Sequence, residues 1–222
     1  MTLALVPVKR LGAAKSRLRG ELGAHADELT LAMLADLLDA LVAAPELARV
    51  FVVTPDEAVA QVARAAGASA HVAEDAGLNE ALAAACTELA REDEAVLVVL
   101  GDVAGAAARD LAALFAALAE IGGRGAVLAP SRDGGTAALL RAPHTLMPTR
   151  FGASSAAAHR ALASEAGAAF REVALPALAI DLDRPEDLAA LLASESAEAK
   201  RTRALLARLG YAAAPGKGGV RP

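Results

Sequence analysis

The sequence predicts an α/β domain in which a mainly parallel sheet is covered by helices, and three observations carry that reading. Short apolar runs alternate with Ala- and Leu-rich stretches of helical length, the pattern of successive βα units. The stretch Val96 to Asp102 opens with five apolar residues that show no polar alternation, as expected of a strand buried on both faces, and then delivers a glycine and a carboxylate. Apolar residues make up 55% of the chain but aromatics only 2%, with no Trp, which favours helices packed through small side chains.

The 222 residues suit one domain with an extensive core. A formal net charge of -5 argues against a general nucleic-acid or anionic-membrane partner. No apolar run approaches the roughly 20 residues needed to span a bilayer. Cys86 is the single cysteine, so no intrachain disulfide is available, and its Ala-rich helical surroundings read as a buried thiol rather than a nucleophile. The opening apolar run is short and is followed, not preceded, by Lys9 and Arg10, unlike a signal peptide. The expected location is cytoplasmic.

Taken in order, Leu3 to Val8 reads as a strand and Lys9 to Arg19 as a polar loop. Leucines at helical spacing predict a helix over Asp27 to Ala43, and Arg49 to Val53 is the next strand. Thr54-Pro55-Asp56-Glu57 offers an N-cap, a proline at the first helical position and a capping-box glutamate for a helix ending near Gly67. Ala68 to Val72 is a third strand, and a helix from Gly77-Leu78-Asn79-Glu80 to near Arg91 precedes the central strand. A helix over Arg109 to Ile121, a strand at Ala126 to Ala129, a turn-rich loop over Ser131 to Thr136 and a strand over Ala137 to Arg141 follow. The helix over Ala156 to Ala166 is expected to be capped by Ser154 or Ser155. Arg171 to Leu175 is strand-like, and Arg184-Pro185-Glu186-Asp187 starts a helix with acids in its first turn. A last helix ends near Leu209 at Gly210, and no second hydrophobic core is evident. The domain is expected to span 1–211, with a disordered tail over 212–222.

Two features point to chemistry. Lys9, Arg10, Lys15, Arg17 and Arg19 put five cations into eleven residues beside Gly12, which reads either as a solvated helix face or as a βα turn offering N–H groups to a phosphate. The spacing is not that of a P-loop. Asp181 and Asp183, two apart in an extended segment, point the same way and suit one hard cation such as Mg²⁺, with Asp102 on a neighbouring strand end as a third ligand. Alternatively Asp102 caps the following helix, and of Asp181 and Asp183 one is exposed while the other caps the next helix. The loops at Gly134-Gly135-Thr136 and Gly152 to Ser155 offer N–H groups and hydroxyls to an anion. His25, His71, His144 and His159 lack metal-ligand spacing, and no Gly-x-Ser-x-Gly motif occurs.

Val6-Pro7-Val8-Lys9, Ala14-Lys15-Ser16-Arg17-Leu18, Gly77-Leu78-Asn79, Gly101-Asp102, Asp133-Gly134-Gly135-Thr136, Phe151-Gly152 with Ser155 and His159, and Asp181-Leu182-Asp183-Arg184-Pro185-Glu186-Asp187-Leu188 occur in the order of the CofC/FbiD guanylyltransferases, which the chain resembles over nearly its whole length. That resemblance implies a MobA-like nucleotidyltransferase fold, a single-domain, Rossmann-like three-layer αβα sandwich of the nucleotide-diphospho-sugar transferase type. It implies transfer of GMP from GTP to the phosphate of 2-phospho-L-lactate, phosphoenolpyruvate or 3-phosphoglycerate, with pyrophosphate released, in making the deazaflavin coenzyme F-420. By the same resemblance Val6, Val8, Lys9, Lys15 and Asn79 hold the nucleotide, Asp102, Asp181 and Asp183 bind Mg²⁺, and Thr136, Gly152 and Ser155 receive the acceptor. Asp102 and Lys15 are the implied catalytic residues. A homodimer and hand-off of a labile product to the next pathway enzyme are left open.

Three departures fall on the acceptor side. Val103-Ala104-Gly105 stands where the family reads Leu-Pro after Gly-Asp, Ala137 replaces a polar residue, and Phe151-Gly152-Ala153-Ser154-Ser155-Ala156 lacks a glycine and an aromatic of the family motif. Beside the guanylyltransferase reading stand a MobA-like transferase with another acceptor and a non-catalytic GTP-binding relative.

Overall fold

The computed structural model describes residues 1–13, 15–103, 105–179, 182, 184–194 and 198–211. Asp181 and Asp183, two of the three expected metal ligands, lie outside the described residues, as does the expected tail.

Seven strands form one sheet: β1 (Thr2–Pro7), β2 (Leu47–Thr54), β3 (Ser69–Val72), β4 (Ala95–Val99), β5 (Gly125–Pro130), β6 (Thr136–Ala142) and β7 (Phe170–Glu172). Their order is β3-β2-β1-β4-β6-β5-β7. β1 runs parallel to β2 and β4, β2 to β3, and β5 to β7, while β6 lies antiparallel between β4 and β5. The helices are α1 (Ser16–Leu22), α2 (His25–Val42), α3 (Glu57–Ala65), α4 (Leu78–Leu89), α5 (Ala108–Glu120), α6 (Ser155–Glu165), α7 (Pro185–Ala193) and α8 (Lys200–Arg208).

The strands are apolar throughout because both faces are covered. Along β1, Ala4 and Val6 pack toward α2, α3 and α5, whereas Leu3 and Leu5 pack toward α4 and α6. Leu97 and Val99 of β4 join the first layer, and Val96 and Val98 the second. The result is the expected three-layer αβα sandwich.

A third apolar cluster, absent from the sequence reading, unites α1, the start of α2, α7 and α8 through Leu18, Leu29, Met33, Leu188, Leu191 and Leu206. Its physical origin is length. At about 1.5 Å per residue, the 18 residues of α2 overrun the sheet, so Leu34, Leu37, Leu38 and Leu41 cover strands while Ala26, Leu29 and Met33 need other partners. Asp36 of α2 fastens the last helix there. Its carboxylate accepts from Arg201 N, Thr202 N and Thr202 Oγ1, satisfying N-terminal N–H groups of a helix whose own N-cap, Ala199, has no side-chain acceptor.

Several local expectations are corrected. Lys9 to Arg19 is not all loop, since α1 begins at Ser16. The cap of α3 is Asp56, which accepts from Ala58 N, while Thr54 Oγ1 accepts from Asp56 N. Neither Ser154 nor Ser155 caps α6; Ser154 takes a left-handed conformation and the Ser155 hydroxyl bonds to Thr136 instead.

Candidate functional site

A cleft of about 460 Å³ opens where the parallel strands end. It is lined by the chain after β1 (Val8, Lys9, Lys15, Arg17), after β2 and β3, after β4 (Gly101, Asp102, Val103), at the start of β6 and before α6. Ligands collect beyond the carboxyl ends of strands in sheets of this kind, and the cavity falls within the usual range for small-molecule sites.

Gly101 makes the central approach. A Cβ there would lie 2.6 Å from Val8 Cγ2 and 3.1 Å from the Pro7 carbonyl, so only glycine lets the β4 turn close against the end of β1. Asp102 is thereby delivered to the cleft floor. It is not a helix cap, because α5 begins only at Ala108 and Asp110 accepts from Ala107 N in the capping role.

Asp102 Oδ2 lies 3.3 Å from Lys15 Nζ, and the Lys15 side chain is only 4% exposed. Lys15 sits in the left-handed region (φ 52°), which brings its buried ammonium to the floor. Asp102 Oδ1 is buried and has no hydrogen-bond partner among the described residues. A buried acceptor left open in this way suits a bound cation or a ligand donor. No group of three metal-ligating side chains occurs among the described residues.

The cationic loop is organised differently from the expectation that its N–H groups face an anion. Leu11 N donates to Asp56 Oδ2 and Gly12 N to Asp27 Oδ1, so both amides are already engaged. Arg19 pairs with Asp27 at 2.6 Å, and that bond holds the Asp27 carboxyl below the usual range. Of the five cations, Lys9, Lys15 and Arg17 line the cleft.

Across the cleft, Asp133 apart, the polar side chains at Thr136 and Ser155 are neutral. Thr136 Oγ1 lies 3.0 Å from His159 Nδ1 and accepts from Ser155 Oγ at 3.1 Å. His159 Nε2 accepts from Arg150 N at 2.8 Å, and its ring meets Phe151 edge-on at 5.0 Å. Burial, with the Arg141 guanidinium nearby, pushes the imidazole down to about 4. Asn79 donates from Nδ2 to Phe151 O and accepts at Oδ1 from Phe151 N. Each end of its amide thus makes one bond to the loop at Phe151, and Asn79 is not among the residues lining the cleft. Val6 also does not line it; it is a core residue with no exposure. Val8, Lys9, Lys15, Asp102, Thr136, Gly152 and Ser155 do meet there.

Three acidic cleft residues were given no role of their own by the sequence. Asp133 Oδ1 accepts from Ser131 Oγ and Gly135 N, which with nearby Arg17 lowers its pKa and closes the turn before Thr136. Glu74 and Asp75 border the cleft from an irregular segment with no motif to mark it. Among the departures, Val103 is buried and fills core space, and Gly105 lets the Ala177 carbonyl approach to 2.9 Å of where a Cβ would stand.

The fold is one shared with solved nucleotide-dependent enzymes. A protein assigned as a nucleotide-diphospho-sugar transferase from Desulfovibrio desulfuricans G20 superposes with a TM-score of 0.74 at 19% identity, covering 94% of this chain and 95% of that one. A CMP:2-keto-3-deoxy-manno-octonic acid synthetase complexed with CTP superposes with a TM-score of 0.57 at 14% identity, covering 94% and 99%. More specifically, the chain belongs to the CofC-like guanylyl transferase family, whose model matches residues 2–221. It is 43% identical over 191 residues to the phosphoenolpyruvate guanylyltransferase of Sphaerobacter thermophilus, covering 84% of this chain and 90% of that protein. To the enzyme of the same name from Rubrobacter xylanophilus it is 41% identical, covering 90% and 98%. No helix among the described residues is long and apolar enough to cross a membrane.

Proposed function

We propose that the protein transfers GMP from GTP to the phosphate of a small phosphorylated three-carbon acid, with phosphoenolpyruvate the first candidate because the relatives carry that name. The observation that carries the reading is the pairing, in one cleft, of the Lys15–Asp102 floor with the hydroxyl wall of Thr136 and Ser155. An acceptor-phosphate oxygen attacks the α-phosphorus of GTP in line. The new bond joins that oxygen to the α-phosphorus, the bond to the β-phosphate oxygen breaks, and its electron pair leaves with pyrophosphate. No general base is required, because the attacking oxygen is already ionised near pH 7.

Catalysis then rests on positioning and charge. Lys9, Lys15 and Arg17 face the polyphosphate, and Gly152, Thr136 and Ser155 receive the acid. Asn79 serves indirectly, by pinning Phe151. The buried, unpartnered Oδ1 of Asp102 fits a hard cation, and Asp102 with Asp181 and Asp183 would hold Mg²⁺. Such an ion, when bound, would neutralise charge on the nucleotide phosphates. The absence of a membrane-spanning helix among the described residues and the lone Cys86 agree with a cytoplasmic enzyme.

The test is a matrix of phosphoenolpyruvate, 2-phospho-L-lactate and 3-phosphoglycerate against GTP and ATP, with Mg²⁺, read by pyrophosphate release and product mass. One acid should give a GMP adduct. GTP binding without product from any acid would instead identify a non-catalytic relative.

A further inference from the structure

We infer that His159 is a positioning residue that turns the Thr136–Ser155 hydroxyl pair into a net proton donor toward the anionic acceptor. The inference rests on the proposed function and deepens it.

The argument begins at a backbone amide. Arg150 N–H can only donate, so His159 Nε2, 2.8 Å away, must be the accepting nitrogen and carries no proton. A neutral imidazole with a bare Nε2 has its hydrogen on Nδ1, and burial favours the neutral ring. Nδ1–H therefore donates to Thr136 Oγ1 at 3.0 Å. The remaining count is short. Thr136 and Ser155 own one hydroxyl proton each, and the 3.1 Å bond between them consumes one. Because His159 takes none, the other is uncommitted, whichever hydroxyl carries it.

Both residues are almost fully buried yet line the cleft, so the spare proton has one useful direction, toward a ligand oxygen. Were the imidazole reversed, Thr136 would donate to it, Ser155 would donate to Thr136, and the wall would present only lone pairs. Lone pairs repel a phosphate or carboxylate, whereas a donor binds one. The Phe151 ring edge and the Asn79 clamp on Phe151 keep the imidazole from turning.

Two substitutions separate this role from packing. An Asn amide overlays the Nδ1 side of the ring, and a Gln amide reaches the Nε2 side. Both His159→Asn and His159→Gln lose the ring, but His159→Asn keeps a donor for Thr136 and His159→Gln keeps an acceptor for Arg150 N. Steady-state kinetics with GTP and the acid used by wild type should show KM for the acid raised about tenfold or more in His159→Gln. In His159→Asn it should rise far less, with KM for GTP unchanged in both. Nitrogen NMR of the wild-type imidazole should show hydrogen on Nδ1. Equal acceptor KM values in the two variants, or hydrogen on Nε2, would overturn the inference while leaving the guanylyltransferase reading intact. A wild type inactive with every acid would bring down that reading and this inference together.

Discussion

On one wall of the cleft Lys15 and Asp102 bring opposite charges to 3.3 Å and leave a buried carboxylate oxygen without a partner among the described residues, whereas on the other wall Thr136 and Ser155 are neutral and bonded to each other, with His159 and Asn79 behind them. On the proposed reaction a cation and a polyphosphate would complete the charged wall, whose groups would then face charge that moves during reaction. The neutral wall is assembled in advance, and on the proposed reaction it would hold the acceptor in register. Substitutions on the first wall should therefore lower turnover, and those on the second should weaken acceptor binding.

The largest expected effect is on the charged side. Asp102→Asn should lower kcat by about 10²- to 10³-fold, or roughly 3–4 kcal/mol of barrier, by analogy with loss of one preorganised electrostatic group. Pyrophosphate release measures it. A loss under tenfold would mean that this wall is not where charge develops.

Next comes the pH dependence of stability that His159 imposes. In the unfolded chain it takes up a proton near pH 6.5, as His does, but in the folded protein only at about 4. Between these values the unfolded state binds more protons, so stability falls as pH is lowered from about 6.5 to about 4, by on the order of 3 kcal/mol in all. Urea unfolding across that window should show His159→Gln lacking this share of the loss. Parallel slopes in variant and wild type would remove the buried neutral imidazole from the description of the neutral wall.

Asn79 sharpens the boundary between the walls. Replacing it with Ala strips partners from both Phe151 N and Phe151 O, at a cost of roughly 1–3 kcal/mol in stability. It should raise KM for the acid and leave that for GTP alone. A selective rise in KM for GTP would return Asn79 to the nucleotide side. The smallest effect belongs to Thr136→Val, which keeps the shape and removes the hydroxyl. Acceptor KM should rise about tenfold, roughly 1.4 kcal/mol, with kcat little changed.

Much of the fold was legible because it is written in local pattern. The short apolar runs at Leu3 to Val8 and Val96 to Val99 read as doubly buried strands, α2 announces itself by leucine spacing and α4 by its Ala-rich stretch. The position of β6 was not legible. Its residues look like any strand, and only pairing with both β4 and β5 sets it antiparallel between them. Caps failed for a related reason. Ser155 has the right type and place to cap α6, yet a partner 19 residues away in sequence claims its hydroxyl. The bonds of Asn79 to Phe151, 72 residues on, are likewise invisible in the sequence.

By itself the sequence determined most of the strands and helices, the presence of a carboxylate after the central strand, the cluster of cations after the first strand and the family to which these belong, because each is a matter of residue type at short spacing. Only the tertiary structure decided which of those polar groups remain available. Leu11 N and Gly12 N are engaged by Asp56 and Asp27, Asn79 bonds Phe151 at both ends of its amide, and one hydroxyl proton of the Thr136–Ser155 pair is freed by His159. A hydrogen-bonding group can satisfy only so many partners, and those partners are chosen by packing across the fold, not by neighbours along the chain.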